Sequence, residues 1–239
     1  MEKELKVPKK GEFLTFLDTV SKISDSAIFN VEKDKLTSLV SSIDNTLILY
    51  SEYAIPSEFE DTLNIPDIKK LSRVLDTIEG EKVNLKINSN NIEYKGDDVK
   101  FKYHLFEEGF LTNPNLNLEK INKFTFDVQF NLNKPTLQQI FKGSTFTSET
   151  NKIYFYTEAG KLMAELTDRA RHNTDNFTLC LGDADFALQP TPVNFDNIRL
   201  LSIINNNFTV KINTEYGVVV FEIKESDIKL KYIISALTQ

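Results

Sequence analysis

Four small groups of residues in this chain have types and spacings that could do chemistry. Asp183 and Asp185, in Gly182-Asp183-Ala184-Asp185, are spaced like a carboxylate pair that holds a divalent cation. No acidic or histidine cluster follows to complete such a site, so an acidic turn between strands is the stronger reading. Asp168, Arg169, Arg171 and His172 could supply an acid, a base and a phosphate clamp, but a solvated loop accounts for them better. His104, next to Tyr103, is expected to be a packed strand residue. Cys180, the single cysteine, has no partner for an internal disulfide and is expected to be buried in an apolar strand. With two histidines and no Gly-x-Ser-x-Gly elbow, the chain offers no catalytic constellation, and we expect neither an enzyme nor a cofactor or metal.

The elements that would position these residues come in two similar sets. Asp98-Val99-Lys100-Phe101-Lys102-Tyr103 returns as Asp227-Ile228-Lys229-Leu230-Lys231-Tyr232, and Val83 to Asn88 returns as Phe208 to Asn213, both ending in Lys-Ile-Asn. A self-match at roughly 125 to 130 residues is too long for a solenoid unit and indicates two copies of a domain. The 239 residues accommodate two such domains, which we place at 1–105 and 124–239, with a connector at 106–123 around Asn113-Pro114-Asn115.

Each half reads as two helices and several short hairpin-connected strands. Phe13, Phe16, Leu17, Val20 and Ile23 recur at helical spacing, and helices are also expected over Ile68–Ile78, Pro135–Ser144 and Phe195–Ile204. Strands are expected at Ala27–Val31, Leu36–Val40, Thr46–Tyr53, Phe124–Phe130, Lys152–Thr157, Leu162–Leu166 and Asn176–Leu181, with an extended segment over Glu58–Leu63. The fold class is therefore α+β, two similar domains each packing two helices on antiparallel sheet.

A net charge of −7 argues against a protein coated with nucleic acid on every side but allows a local basic lining. Eight glycines and no tryptophan leave no visible phosphate-cradling loop or stacking platform. No apolar run approaches a bilayer span, and the first six residues lack a signal-peptide core, so an intracellular, cytoplasmic protein is expected.

The C-terminal run Ile228 to Ala236, preceded by Gly217 to Ile223, resembles the end of sliding clamps, the polymerase processivity factors typified by proliferating cell nuclear antigen. Ser42-Ile43-Asp44 resembles the corresponding step of that family, and Phe177 to Asp183 looks more like tailed-phage clamps. The resemblance implies a homotrimeric ring around duplex DNA that tethers the replicative polymerase, here in a phage or other virus. Helices would line the hole, with Lys9, Lys10, Lys22, Lys69, Lys70, Arg73, Lys134, Lys142 and Arg199 facing DNA and Arg169 and Arg171 near the rim. These helices have a slight positive balance inside an acidic chain, the sign a clamp needs, although ordinary solvated helix faces would give the same.

The resemblance further implies that Val99, Phe101, Tyr103 and Leu105 meet Phe177, Leu179 and Leu181 of the next subunit; internal pairing of both strands is the alternative. A pocket for short hydrophobic peptides of the polymerase and the clamp loader would involve Ile43, Leu116, Leu118, Ile121, Gly217, Val218, Ala236 and Leu237, unless the connector residues fold back on their own domain. Two other readings stay open: a clamp-like subunit that holds DNA by a basic face without closing a ring, and a metal-dependent enzyme using Asp183 and Asp185.

Overall fold

A computed structural model describes residues 3–201 and 207–237. The chain divides into two compact units, Met1–Leu116 with Lys224–Lys231, and Asn117–Ile223 with Tyr232–Gln239.

The first unit runs β1 (Lys3–Val7), α1 (Lys10–Ser21), β2 (Ala27–Glu32), β3 (Lys35–Ser41), β4 (Leu47–Ala54), β5 (Asp61–Ile65), α2 (Ile68–Asp76), β6 (Val83–Asn88), β7 (Asn91–Lys95) and β8 (Lys100–His104). Its strands form two antiparallel sets, β1-β6-β7-β8 and β5-β2-β3-β4. Alternate residues of β2 and β4 are buried because successive side chains on a strand point to opposite faces. On α1 the helical period delivers Phe13, Phe16, Leu17 and Val20 to the same core. There the Phe16 ring lies 5.7 Å from Phe29 and 5.6 Å from Tyr53, an aromatic cluster that joins helix to sheet.

The second unit opens with α3 (Leu118–Lys123) and continues β9 (Val128–Leu132), α4 (Lys134–Phe146), β10 (Lys152–Glu158), β11 (Lys161–Leu166), β12 (Phe177–Asp183), β13 (Thr191–Asn194), α5 (Phe195–Leu201), β14 (Phe208–Asn213) and β15 (Val218–Glu225). The last strand, β16 (Ile228–Ser235), gives its opening residues to the first unit and its end to the second. Here the sets are β12-β11-β10-β13, and β9, β14 and β15 followed by the end of β16. After α3 the order of the first unit repeats element by element: β9 stands for β1, α4 for α1, β10 to β13 for β2 to β5, α5 for α2, and β14 to β16 for β6 to β8. Phe155 centres this core, 5.7 Å from Phe130 and 6.5 Å from Phe221.

Local chemistry sets the boundaries. Asp67 caps α2 by accepting from the Lys70 amide at 2.8 Å, and Asn133 caps α4 by accepting from the Thr136 amide at 2.9 Å. Pro135 sits in the first turn of α4, where no intrahelical partner for its nitrogen is needed. Between β10 and β11, Ala159 and Gly160 both have positive φ, 48° and 74°, the two-residue turn whose twist matches a hairpin.

Several expectations change. Before α1, where no element is expected, lies β1, whose Leu5 and Val7 are buried against β6. The strand expected from Phe124 begins at Val128, because Phe124, Thr125 and Phe126 lead out of α3. The connector holds that six-residue helix, capped by Asn117, where no period is visible. The residues before α5 form β13 rather than only a helix lead-in, and α5 is described to Leu201; the rest of the expected helix, 202–204, lies outside the described residues. Cys180 is exposed, not buried, since alternation along the outermost strand β12 turns it away from the core. His104 is likewise exposed at the end of β8. Among the described residues no helix is long and apolar enough to cross a membrane.

Candidate functional site

The two helices of the first unit pack as a pair: Ser72 Oγ on α2 donates to Asp18 Oδ1 on α1 at 2.8 Å. Between them runs a groove of about 350 Å³ lined by Lys22, Lys69 and Arg73, by the carboxylates Asp18 and Asp76, and by Leu14, Ser21 and Ser72. Lys69 is tethered to Asp25 at 2.8 Å, whereas Lys22, Lys70 and Arg73 are exposed and make no ion pair among the described residues. Cations held beside a low-dielectric surface without a carboxylate partner keep their charge available to a passing anion.

The other expected DNA-facing residues divide in the same way. Lys134 and Lys142 on α4 have no ionic partner among the described residues, and Lys142 is exposed. Lys9 is engaged by Asp227 at 2.8 Å and by Glu12 at 3.1 Å, contacts that push its pKa up. Lys10 Nζ donates to the Ile78 carbonyl. Arg199 pairs with Asp196 at 2.9 Å and lies 4.8 Å from the Phe195 ring. Arg169 stands over Tyr154 and Tyr156, 4.9 and 4.7 Å from their centroids, and is held by Glu165. Arg171 pairs with Asp168 at 3.3 Å. Asp168 also takes Lys152 at 2.9 Å, a bond that holds its carboxyl below the usual range. This loop is a web of internal pairs, and Asp183 is likewise occupied by Lys161.

Of the residues expected at a subunit interface, both groups lie on the last strand of a sheet: β8 ends one set and β12 another, and each is paired on one side only. Their apolar side chains point inward. Tyr103 is buried, its hydroxyl donating to the Asp67 carbonyl at 2.7 Å and accepting from the Asp67 amide at 3.0 Å. Phe101 stacks on Tyr94, and Leu105 donates its amide to Asn90. Val99 precedes β8 half-buried, and Leu179 and Leu181 are half-buried on β12. The Phe177 ring lies over Gly143 of α4 so closely that a Cβ there would collide with it. What each strand leaves open is its backbone edge, flanked by the exposed Lys100, Lys102 and His104 on β8 and Thr178 and Cys180 on β12.

The expected pocket residues fall in both units. Ile43 stands fully exposed at the tip of the β3–β4 turn. That turn is stiffened by Asp44, which accepts from Ser42 Oγ at 2.6 Å and from the Thr46 amide at 3.2 Å, bonds that lower its pKa. Leu116 is half-buried at the end of the first unit. In the second unit Leu118 is half-buried and Ile121 buried on α3, the folded-back alternative for Ile121. Gly217, at φ +60°, accepts from the Ala236 amide at 2.7 Å, and the Leu237 amide donates to the Pro192 carbonyl at 2.8 Å, which gathers Gly217, Val218, Ala236 and Leu237 at one end of the unit.

Sequence reasoning missed the neighbours of these groups. Tyr216, 60% exposed, stacks flat on Phe124 at 5.1 Å beside Gly217. In the first unit Leu111 to Pro114 close a small cavity of about 100 Å³ against Ala27, Ile28, Leu39 and Val40, and Phe110, 70% exposed, stacks on Phe106 at 5.6 Å. Two exposed aromatics within a polar connector were the available signal.

No protein-family model matches the sequence, and no curated protein sequence does. Solved structures match over the whole chain. Proliferating cell nuclear antigen from A. fulgidus, with the C-terminal region of FEN-1 bound, superposes at a TM-score of 0.77 with 12% identity over 99% of each chain. The same antigen from Entamoeba histolytica gives 0.75 and 12% over 99% of each chain, and that from Thermococcus kodakaraensis 0.74 and 14% over 98% of this chain and 100% of that one. The chain has the two-domain sliding-clamp fold, α+β with helices over antiparallel sheets.

Proposed function

We propose that this protein is a DNA sliding clamp: a homotrimer of two-domain subunits, 1–105 and 124–239 joined through 106–123, that encircles duplex DNA and tethers the replicative polymerase without catalysing a reaction itself. One observation carries the reading. In the first unit β4 is met by the opening residues of β16, with the Ala54 amide donating to the Asp227 carbonyl at 2.7 Å. The repeated equivalents of these strands, β12 and β8, each end a sheet with one edge open, as β1, β5, β9 and β13 also do among the described residues. An element pair that joins once within the chain and is left unjoined at both remaining positions supports head-to-tail assembly, and such a contact closes into a ring when the rotation permits.

Free cations at the C-terminal end of α1 and on α2 and α4 support helices that track the phosphate backbone by weak, exchangeable contacts, which a tether that must slide requires. The A. fulgidus protein binds a FEN-1 segment. By that likeness, the end of the second unit around Gly217, Val218, Ala236 and Leu237, with Ile43, Leu116, Leu118 and Ile121, would receive short apolar peptides of polymerase and clamp loader. The stretch Phe177 to Asp183 supports a phage or other viral source, and with it a place in the host cytoplasm.

The test measures particle mass and DNA retention together. Light scattering is expected to give three times the chain mass, and loaded protein is expected to stay on closed circular DNA and run off linear DNA. A monomer at every concentration, with salt-sensitive binding to linear DNA, would instead establish the open, non-ring processivity subunit. Turnover of nucleotides or DNA that requires a divalent metal and is lost in Asp183→Ala would establish the enzyme.

A further inference from the structure

The joint inside the first unit is pinned by two ion pairs. Lys9, the residue before α1, pairs with Asp227 at 2.8 Å, and Lys229 Nζ donates to Glu52. Glu52 in turn lies opposite Thr37 in the β3–β4 ladder.

The repeat identifies what stands at each of these places in the open edges. The turn Glu32 to Lys35 between β2 and β3 corresponds to Glu158 to Lys161 between β10 and β11. Two residues beyond Lys35, Thr37 faces Glu52; two residues beyond Lys161, and just past a bulge that leaves Leu181 out of the ladder, Met163 faces Cys180. Cys180 therefore occupies the place of Glu52. The six-residue repeat puts Asp98 at the place of Asp227 and Lys100 at that of Lys229. Asn133, the residue before α4, occupies the place of Lys9.

On the head-to-tail pairing of β12 with β8 read above, we propose that the joint between copies keeps the register of the β4–β16 joint, with Cys180 opposite Lys100, and that it lacks both of that joint's ion pairs. The occupant of each open edge is a second copy of this chain. Where the internal joint sets Lys9 against Asp227, the joint between copies sets the uncharged Asn133 against Asp98, and Cys180 in place of a carboxylate faces Lys100, which has no ion pair among the described residues. The internal joint is closed for the life of the chain, whereas the joint between copies has to open for DNA to enter; the missing charges fall on the joint that must open. The inference rests on the ring reading above.

The test is a charge cycle at positions 180 and 100, read as the trimer dissociation concentration in sedimentation equilibrium at low and high salt. Cys180 is exposed, so its substitution leaves the core intact. Cys180→Glu is expected to tighten each joint at low salt by up to about fivefold, the upper range of an exposed ion pair, and the gain is expected to fade at high salt. Cys180→Lys is expected to loosen the trimer, and Cys180→Lys with Lys100→Glu to restore it. If Cys180→Glu does not tighten a wild-type trimer, or if the double substitution does not recover the affinity of the wild type, the register is wrong while the ring stands. A wild-type chain that is monomeric at every concentration overturns the ring and this inference together.

Discussion

The helix pairs of the two units hold the same place in the repeat and are built differently. In the first, a polar bond from Ser72 to Asp18 links α1 and α2 beside the exposed cations Lys22, Lys70 and Arg73. In the second, an aromatic contact between Phe141 and Phe195, 5.9 Å apart, links α4 and α5, and the arginine of α5 is engaged by Asp196. Duplication preserved what the core needs, apolar residues at the period of each element, and left the outward charges free to diverge. Surface charge contributes little to stability and so is under weak constraint from folding.

That comparison breaks most sharply at one position. Gly143 on α4 corresponds to Thr19 on α1, which is buried and bonds the Thr15 carbonyl at 2.7 Å. Thr19 has room for a side chain; Gly143 has the Phe177 ring in that space. Gly143→Thr is therefore expected to destabilise the second unit by about 1–3 kcal/mol through overpacking, as seen in denaturant unfolding, while Thr19→Ser is expected to stay within about 1 kcal/mol. Equal costs at both positions would mean that the helices do not sit alike on their sheets.

If the first unit carries more of the DNA contact, replacing Lys22, Lys70 and Arg73 by alanine is expected to flatten the salt dependence of binding by up to about 0.9 in logarithmic slope for each phosphate no longer engaged. Replacing Lys134 and Lys142 should flatten it less, and replacing the internally paired Arg169 and Arg171 hardly at all. Titration of each variant on circular DNA at several salt concentrations decides the order. A smaller effect is expected at the caps: Asp67→Ala and Asn133→Ala should each cost about 1 kcal/mol, measured as the shift in unfolding midpoint of the unit that holds the helix.

The smallest effect concerns pH. Burial pushes the Glu52 carboxyl up, but the Lys229 hydrogen bond and the nearby Lys35 outweigh it and leave the pKa lowered. A carboxylate with a lowered folded pKa adds stability that is present above its ordinary range and lost as pH falls through the folded value. The difference in melting temperature between wild type and Glu52→Gln is therefore expected at neutral pH and should vanish in acid. A difference that grows in acid would reverse the sign of the argument.

Periodicity was readable wherever burial follows it. The helices over Phe13 to Val20 and Ile68 to Leu75 and the strands expected at Lys152–Thr157 and Leu162–Leu166 stand close to where their spacing puts them. It failed where a segment is short or its environment is set from far along the chain. The charged segment Lys3 to Val7 becomes a strand because β6, distant in sequence, supplies its partner. Cys180 has an apolar neighbourhood in sequence and an exposed place in space, because β12 is the last strand of its sheet.

By itself the sequence determined the duplication, the α+β class and the apolar faces, since these depend on local period and on identical runs that need no partner to be recognised. The tertiary structure alone decided which strands end a sheet and which cations are already matched by a carboxylate. Both depend on what lies opposite a residue across a sheet or a helix pair, and distance along the chain carries no record of that.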